Sequence, residues 1–306
     1  MTQQVTTGQV ATEQPAGENG TAVLSGGALS RSLRAHVTAE ADELTAAGTH
    51  PRLAVVVATD DESSAWYVRS IAKAAEKTGI RCDVVDLGAE AGPEEIRAAL
   101  EALSDDPSVH GIMLQTPLPA GARFEDLASS IAPEKDVDGA NPLSLGRLAA
   151  GLPAFAPATA AAVLALLDHH GVPLAGRAAT VVGRSNVVGK PVAHLLLQRD
   201  ATVSVCHRHT KDLAQHTRAA DVLVVAVGRT GLITAAHTGP HSVVVDVGTN
   251  PTVDGGLAGD VDAAHVTGRV AGLTPVPGGV GPVTTALLLH HTLRSAARTH
   301  TTSEGP

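Results

Sequence analysis

The chain has 306 residues, room for one large or two modest domains. Its net charge is −9 with no long basic run, which argues against nucleic acid or anionic membranes as partners. Aromatic residues make up 1% of the total, which disfavours base stacking and leaves Ala, Val and Leu to build the core. Cys82 and Cys206 lie outside any metal-type cluster and the 15 histidines are scattered, so neither a disulfide framework nor a metal site is expected.

Residues 1–20 are rich in Thr, Gln, Gly and Glu and read as a disordered tail without a signal peptide. No apolar run is long enough to span a bilayer, so the expectation is a soluble, cytoplasmic protein. The apolar run over 53–58 predicts a buried parallel strand, followed by a helix over 64–78 that Gly79 stops. A strand over 82–87, a helix opened by Pro93-Glu94-Glu95 and a strand over 109–114 complete a βαβαβ unit. A Gly/Pro-rich hinge at 151–157 leads to a helix over 160–169, with Thr159 expected as its cap. Strands over 178–182, 202–206, 221–227 and 242–247 then build a second α/β unit of dinucleotide-binding type, and a helix over 282–297 follows. The last residues, from 298, read as another tail.

The strand over 178–182 runs into Gly183-Arg-Ser-Asn-Val-Val-Gly189 and then a helix. Free N–H groups and the helix dipole at such a turn favour a pyrophosphate, and Gly189 allows close packing of helix on strand. The spacing departs from G-x-G-x-x-G, and an ordinary strand–helix turn is the competing reading. An NAD site usually carries an acid at the end of its second strand, on the ribose hydroxyl. Here that end reads Cys206-His207-Arg208-His209. Arg184 and Arg208 suit a 2′-phosphate, which favours NADP; both being solvated surface residues is the alternative.

Four strings in order resemble one family. Gly111-Ile-Met-Leu-Gln-Thr-Pro-Leu-Pro119 is similar to its G-I-L-V-Q-L-P-L-P, and Pro133-Glu-Lys-Asp-Val-Asp-Gly139 to its P-x-K-D-V-D-G. Gly183-Arg-Ser-Asn-Val-Val-Gly-Lys-Pro191 resembles its G-R-S-x-x-V-G-x-P, and Thr274-Pro-Val-Pro-Gly-Gly-Val-Gly-Pro282 its late glycine-proline loop. The family is methylenetetrahydrofolate dehydrogenase/methenyltetrahydrofolate cyclohydrolase.

The resemblance implies two α/β domains with a cleft between them: a folate-binding catalytic domain over 21–156, with helix 282–297 packing back on it, and a Rossmann-type NADP-binding domain over 157–281. It implies a homodimer that oxidises 5,10-methylenetetrahydrofolate with NADP and hydrolyses the methenyl product to 10-formyltetrahydrofolate. Tyr67 matches the Tyr that stacks on the folate, Gln115 the Gln of the substrate cleft and Asp138 the Asp that hydrogen-bonds the pterin. The backbone around Pro277, Gly278 and Gly279 is expected along the nicotinamide and folate. The expected cofactor residues are Gly183, Arg184, Ser185, Val188, Gly189, Arg208, Val227, Gly228 and Thr249.

One departure matters. The family reads Y-x-x-x-K one turn after the Tyr, and this chain has Ile71 there. The family's Lys stabilises charge and moves protons in the cyclohydrolase step, which Ile cannot do. Arg69 and Lys73 lie two residues away, around the far side of the helix. The expectation is an NADP-dependent dehydrogenase whose cyclohydrolase step is weak or lost. A conventional bifunctional enzyme is the alternative, as are a repurposed one-carbon enzyme and a non-catalytic folate- or NADP-binding protein. Pro157-Ala-Thr-Ala160 and Val247-Gly-Thr-Asn250 are smaller departures.

Overall fold

The structure, a computed structural model, describes residues 20–252 and 254–303. Nearly all of the expected N-terminal tail lies outside these. Strands β1 (Ala22–Val23), β2 (Arg52–Val57), β3 (Arg81–Asp86) and β4 (Gly111–Leu114) alternate with α1 (Gly27–Ala46), α2 (Glu62–Glu76) and α3 (Pro93–Asp105). Helices α4 (Phe124–Ala128), α5 (Pro142–Ala149) and α6 (Ala158–His169) come next. The second unit runs β5 (Ala178–Val182), α7 (Gly189–Leu197), β6 (Thr202–Cys206), α8 (Leu213–Thr217), β7 (Val222–Val225) and β8 (Val243–Asp246). It ends with the β9 (Asn250–Pro251)–β10 (Leu257–Ala258) pair, α9 (Ala263–Val266), β11 (Gly272–Leu273) and α10 (Val280–Ser303).

Two parallel sheets organise these elements. The first has three strands in the order β3-β2-β4, and the second six in the order β1-β11-β8-β7-β5-β6. Side-chain alternation explains why the apolar runs read as continuous. Leu53, Val55 and Val57 of β2 enter the core shared with α1, α2 and α10. Ala54, Val56 and Ala58 face the opposite core, with Ile96 and Leu100 of α3. In the second sheet, Val222 and Val224 of β7 pack towards α6 and α7, while Leu223 and Val225 pack on the other face.

The expected strands and helices stand within a few residues of their predicted positions, with four differences. Thr159 is not a cap: Pro157 occupies that position, with no side-chain hydrogen bond, and Thr159 lies inside α6. Asp61 caps α2 instead, accepting from the Ser64 N–H at 2.8 Å, so the helix starts earlier than expected. Residues 298–303 continue α10 rather than forming a tail. Finally, β1 pairs with β11, so the first residues of the supposed folate domain form the edge of the other sheet. Helix α10 packs on α1 and α6 and also meets β2 and β4, which joins the two halves. Among the described residues no helix is long and apolar enough to cross a membrane.

Candidate functional site

The ends of both sheets face a cavity of about 450 Å³. Tyr67, Gln115 and Asp138 line it from the first half, and Arg184, Ser185 and Val188 from the second. Crevices beyond the carboxyl ends of parallel strands are where such folds bind ligands. The cavity also takes Met113, Phe124 and Lys190, which sequence reasoning did not place at the site, and Thr159, which it expected only as a helix cap.

Each side of the cavity is built for its task. The Ser64 hydroxyl donates to the Thr116 carbonyl at 2.9 Å, tying α2 to the loop after β4. Gln115 Nε2 donates to the same carbonyl at 2.6 Å and to Ser64 Oγ at 3.3 Å. A carbonyl accepts only from a donor, so this fixes the amide orientation and leaves Oε1 as the atom Gln115 offers a ligand. The charged motif around residue 136 divides its labour. Lys135 donates to the carbonyls of Ser104 and Asp106, each at 2.6 Å, and closes the C-terminus of α3. Asp136, fully buried, accepts from the Ala140 and Asn141 N–H groups at 2.8 and 3.0 Å. Asp138 alone is left for the cavity. Gly139 has φ +61, and a side chain there would meet the backbone of residues 155–157. That close approach turns the loop inward.

Burial, reinforced by the nearby Asp136 charge, pushes the Asp138 carboxyl up to about 7, against a stabilising hydrogen bond from the Ala158 N–H. Burial and the Asp138 charge also raise the Tyr67 phenol, despite a hydrogen bond with Thr285, so it stays a neutral donor across the physiological range. Ile71 does not line the cavity. It is fully buried in the core between α2, α10 and β2, one turn from Tyr67. The cations on the cavity wall are Arg184 and Lys190, from the opposite side.

The glycine loop holds its shape through Ser185, whose Oγ accepts from the Val188 N–H at 3.2 Å and the Gly189 N–H at 3.4 Å. A Cβ on Gly189 would overlap the Gly183 carbonyl and approach Arg184 N at 2.8 Å, so turn and helix meet backbone to backbone. Asn186 Nδ2 donates to Glu125 Oε1 at 2.6 Å, and Lys190 Nζ donates to Asn186 Oδ1 at 2.6 Å. This chain spans the cleft mouth from α4 to α7. A backbone hydrogen bond within Glu125, helped by Asn186, holds that carboxyl below its usual range.

The remaining expected site residues are placed differently. Val182 and Cys206 are register partners, so Arg184 and Arg208 each lie two residues beyond the same rung. Arg208 is exposed, its Nε donating to His209 Nε2 at 3.1 Å, and it stands outside the cavity. Val227, Gly228 and Thr249 are also off the cavity wall. Buried Asp260 accepts from the N–H groups of Val227, Gly228 and Arg229 at 2.7, 3.0 and 2.7 Å, so those donors are not open to a cofactor. Asp246 in turn accepts from the Asp260 and Val261 N–H groups, each at 2.9 Å. Neither acid was picked out from the sequence, because no local motif marks an acid that serves a strand end 33 residues away. Pro277, Gly278 and Gly279 do not line the cavity either. The Gly278 carbonyl accepts from the Gly26 N–H at 2.9 Å, which turns this loop to the start of α1.

A three-stranded α/β unit, a Rossmann-type sheet with a glycine loop, and a polar cavity between them define a two-domain dinucleotide-dependent enzyme. Residues 24–138 match the family model for the tetrahydrofolate dehydrogenase/cyclohydrolase catalytic domain, and 157–300 match that for its NAD(P)-binding domain. The chain belongs to the tetrahydrofolate dehydrogenase/cyclohydrolase family. It is 76% identical over 278 residues to "Bifunctional protein FolD 1" of Saccharopolyspora erythraea, covering 91% of this chain and 95% of that protein. Among solved structures it is similar to the bifunctional FolD enzyme of Campylobacter jejuni, with a TM-score of 0.88 and 40% identity over 91% of this chain and 99% of that one. It is similar also to the Trypanosoma brucei FolD complexed with NADP cofactor and inhibitor. That TM-score is 0.87, with 35% identity over 93% and 99% of the two chains.

Proposed function

We propose that the chain oxidises 5,10-methylenetetrahydrofolate with NADP and hydrolyses the methenyl product to 10-formyltetrahydrofolate, as a cytoplasmic homodimer. The observation that carries this reading is the single cavity walled by Tyr67, Gln115 and Asp138 on one side and the glycine loop on the other. In this reading residues 21–156 with 282–297 are the folate-binding domain, less the edge strand β1, and 157–281 the NADP-binding domain.

The residues fit the cofactor. The Gly183–Gly189 approach is a cradle that a Cβ would fill, and it opens on the N-terminus of α7. The stretch His207 to Lys211 directly after β6 carries no acid, while Arg184 and Arg208 flank one rung of the sheet. NADP, when bound, supplies the hydride acceptor. Arg184 and Arg208 would hold its 2′-phosphate, and Ser185 and Val188 would keep the turn closed around the pyrophosphate. Arg208→Ala is expected to raise KM for NADP roughly tenfold to a hundredfold, the worth of a charge-assisted hydrogen bond, with KM for NAD little changed. Initial rates with both nucleotides check this. Equal loss with NAD would mean Arg208 does not read the phosphate.

On the folate side, Asp138 would accept from the pterin donors, Tyr67 would stack on the ring system, and Met113 and Phe124 would help exclude water from the hydride path. For the hydrolytic step, a carboxyl near pH 7 is matched to taking a proton from water, and Arg184 and Lys190 bring positive charge to the same cavity. The bifunctional name of the 76% identical relative also supports hydrolysis, against the expectation drawn from position 71.

A second reading, in which hydrolysis is weak, rests on one observation: Ile71 is fully buried where the family pattern has Lys. A paired assay separates the two. One arm follows NADPH formed from 5,10-methylenetetrahydrofolate; the other follows decay of methenyltetrahydrofolate above the non-enzymatic rate. Activity in both arms is expected. NADPH formation without excess decay, with decay rising on the order of a hundredfold in Ile71→Lys, would select the second reading. Silence in both arms would point to a carrier.

A further inference from the structure

Away from the cleft, the contact between α1 and α10 encloses a second polar group. His36 and Glu40 lie one turn apart on α1, on one face of the helix. His290 meets them from α10, and one ligand atom from each of the three lies within 4.8 Å of the others. The His36 and His290 ring centroids are 5.7 Å apart, and His36 Nε2 is 3.7 Å from Glu40 Oε2. That carboxylate oxygen is buried yet accepts no hydrogen bond. Buried polar atoms are ordinarily satisfied, so one left without a donor calls for a partner.

The geometry points to a site for a divalent transition-metal ion of the zinc class, held by His36, Glu40 and His290 and cross-linking α1 to α10. Two imidazoles and a carboxylate are a zinc donor set, and three protein ligands leave a fourth position to water. The atoms must draw together by roughly an ångström to reach tetrahedral bond lengths of about 2 Å. The 62% exposure of the His36 side chain leaves it free to make that movement. Arg294 opposes a cation here and offers Glu40 a competing positive charge, but its guanidinium also lies over the Phe155 ring, 5.8 Å from the centroid. None of the three ligands lines the cleft cavity, so the site is separate from the one above.

The sequence did not disclose this group because only two ligands are local. The third comes from the other end of the chain, and a lone His-x-x-x-Glu pair is unremarkable among 15 histidines.

The test uses the full chain, stripped with a chelator and titrated with Zn²⁺ against a chromophoric competitor. Thermal unfolding and the visible absorption of bound Co²⁺ are followed in parallel. One equivalent is expected to bind, raise the unfolding temperature and give the intense Co²⁺ bands of four-coordination. His36→Ala and Glu40→Gln should each weaken binding at least tenfold while leaving the dehydrogenation rate unchanged. His36 is exposed, so its variant retains the fold even if His290→Gln does not. Binding no tighter than millimolar would overturn the proposal. So would tight binding that His36→Ala and Glu40→Gln leave intact, since the ion would then sit on other histidines.

Discussion

Replacing Asp138 with Asn is expected to lower kcat/KM for methylenetetrahydrofolate by roughly tenfold to a hundredfold and to stabilise the unliganded protein above pH 7. The loss follows from one charge-assisted hydrogen bond to a buried ligand, worth about 1.5–3 kcal/mol. The gain follows from linkage. The folded protein holds the Asp138 proton up to about pH 7, well above the ordinary carboxyl value of 3.8, so it binds more protons than the unfolded chain between these values. Stability from this group therefore falls as pH rises from about 4 to about 7 and stays lost above that. A shift of this size has a ceiling of about 4 kcal/mol, at 1.36 kcal/mol per pH unit. A gain of about half that is a reasonable expectation in a site that solvent can enter. Thermal unfolding of both proteins at pH 5.5 and pH 8 measures it. The variant's advantage should be several degrees at the higher pH and shrink at the lower. An advantage that ignores pH would mean that Asp138 does not titrate in this range. Wild-type substrate affinity should rise through pH 7 as the carboxylate forms, and that rise should be absent in the variant.

The second large effect is expected at the turn between β5 and α7. Gly189→Val places a branched side chain against the Gly183 carbonyl and Arg184 N, which are backbone atoms that cannot rotate away. Turn and helix must separate, and the Ser185 hydrogen bonds to Val188 and Gly189 are lost with them. NADP affinity should fall at least a hundredfold, about 2.7 kcal/mol, because the N–H cradle and helix terminus no longer converge. Overpacking should also cost about 1–3 kcal/mol of stability. Calorimetric titration with NADP, beside circular dichroism to verify the fold, reads both. Unchanged NADP affinity in a folded variant would remove the glycine loop from the cofactor site.

The sequence was most legible where one segment carries its own signal. The strands over 178–182 and 202–206 stand where the apolar runs end. Tyr67, Gln115 and Asp138 converge because α2, the end of β4 and the loop before α5 belong to one α/β unit. The rest depended on partners far along the chain. Helix α1 was not anticipated: it buries Ser30, Val37, Ala41 and Leu44, and such small side chains leave a faint stripe. The strands β1 and β11 have two residues each and pair across almost the whole chain, which no local pattern announces. Val227 and Gly228 sit at the expected strand end, but Asp260 takes their N–H groups. At position 71 the chemistry of the substitution was legible, whereas its burial away from the cavity wall was not.

The β1–β11 pairing bears on how the molecule can be taken apart. The two family models meet the chain as consecutive halves, yet the polypeptide is interlaced: β1 is stitched to the second sheet before α1 begins, and α10 returns to pack on the first half. A fragment beginning near residue 157 would leave β11 as an open sheet edge, and one ending near 156 would lose the helix that covers Leu53, Val55 and Val57. Each half is thus a poor independent module. A gene split at the sequence boundary would have to rejoin its products as they fold.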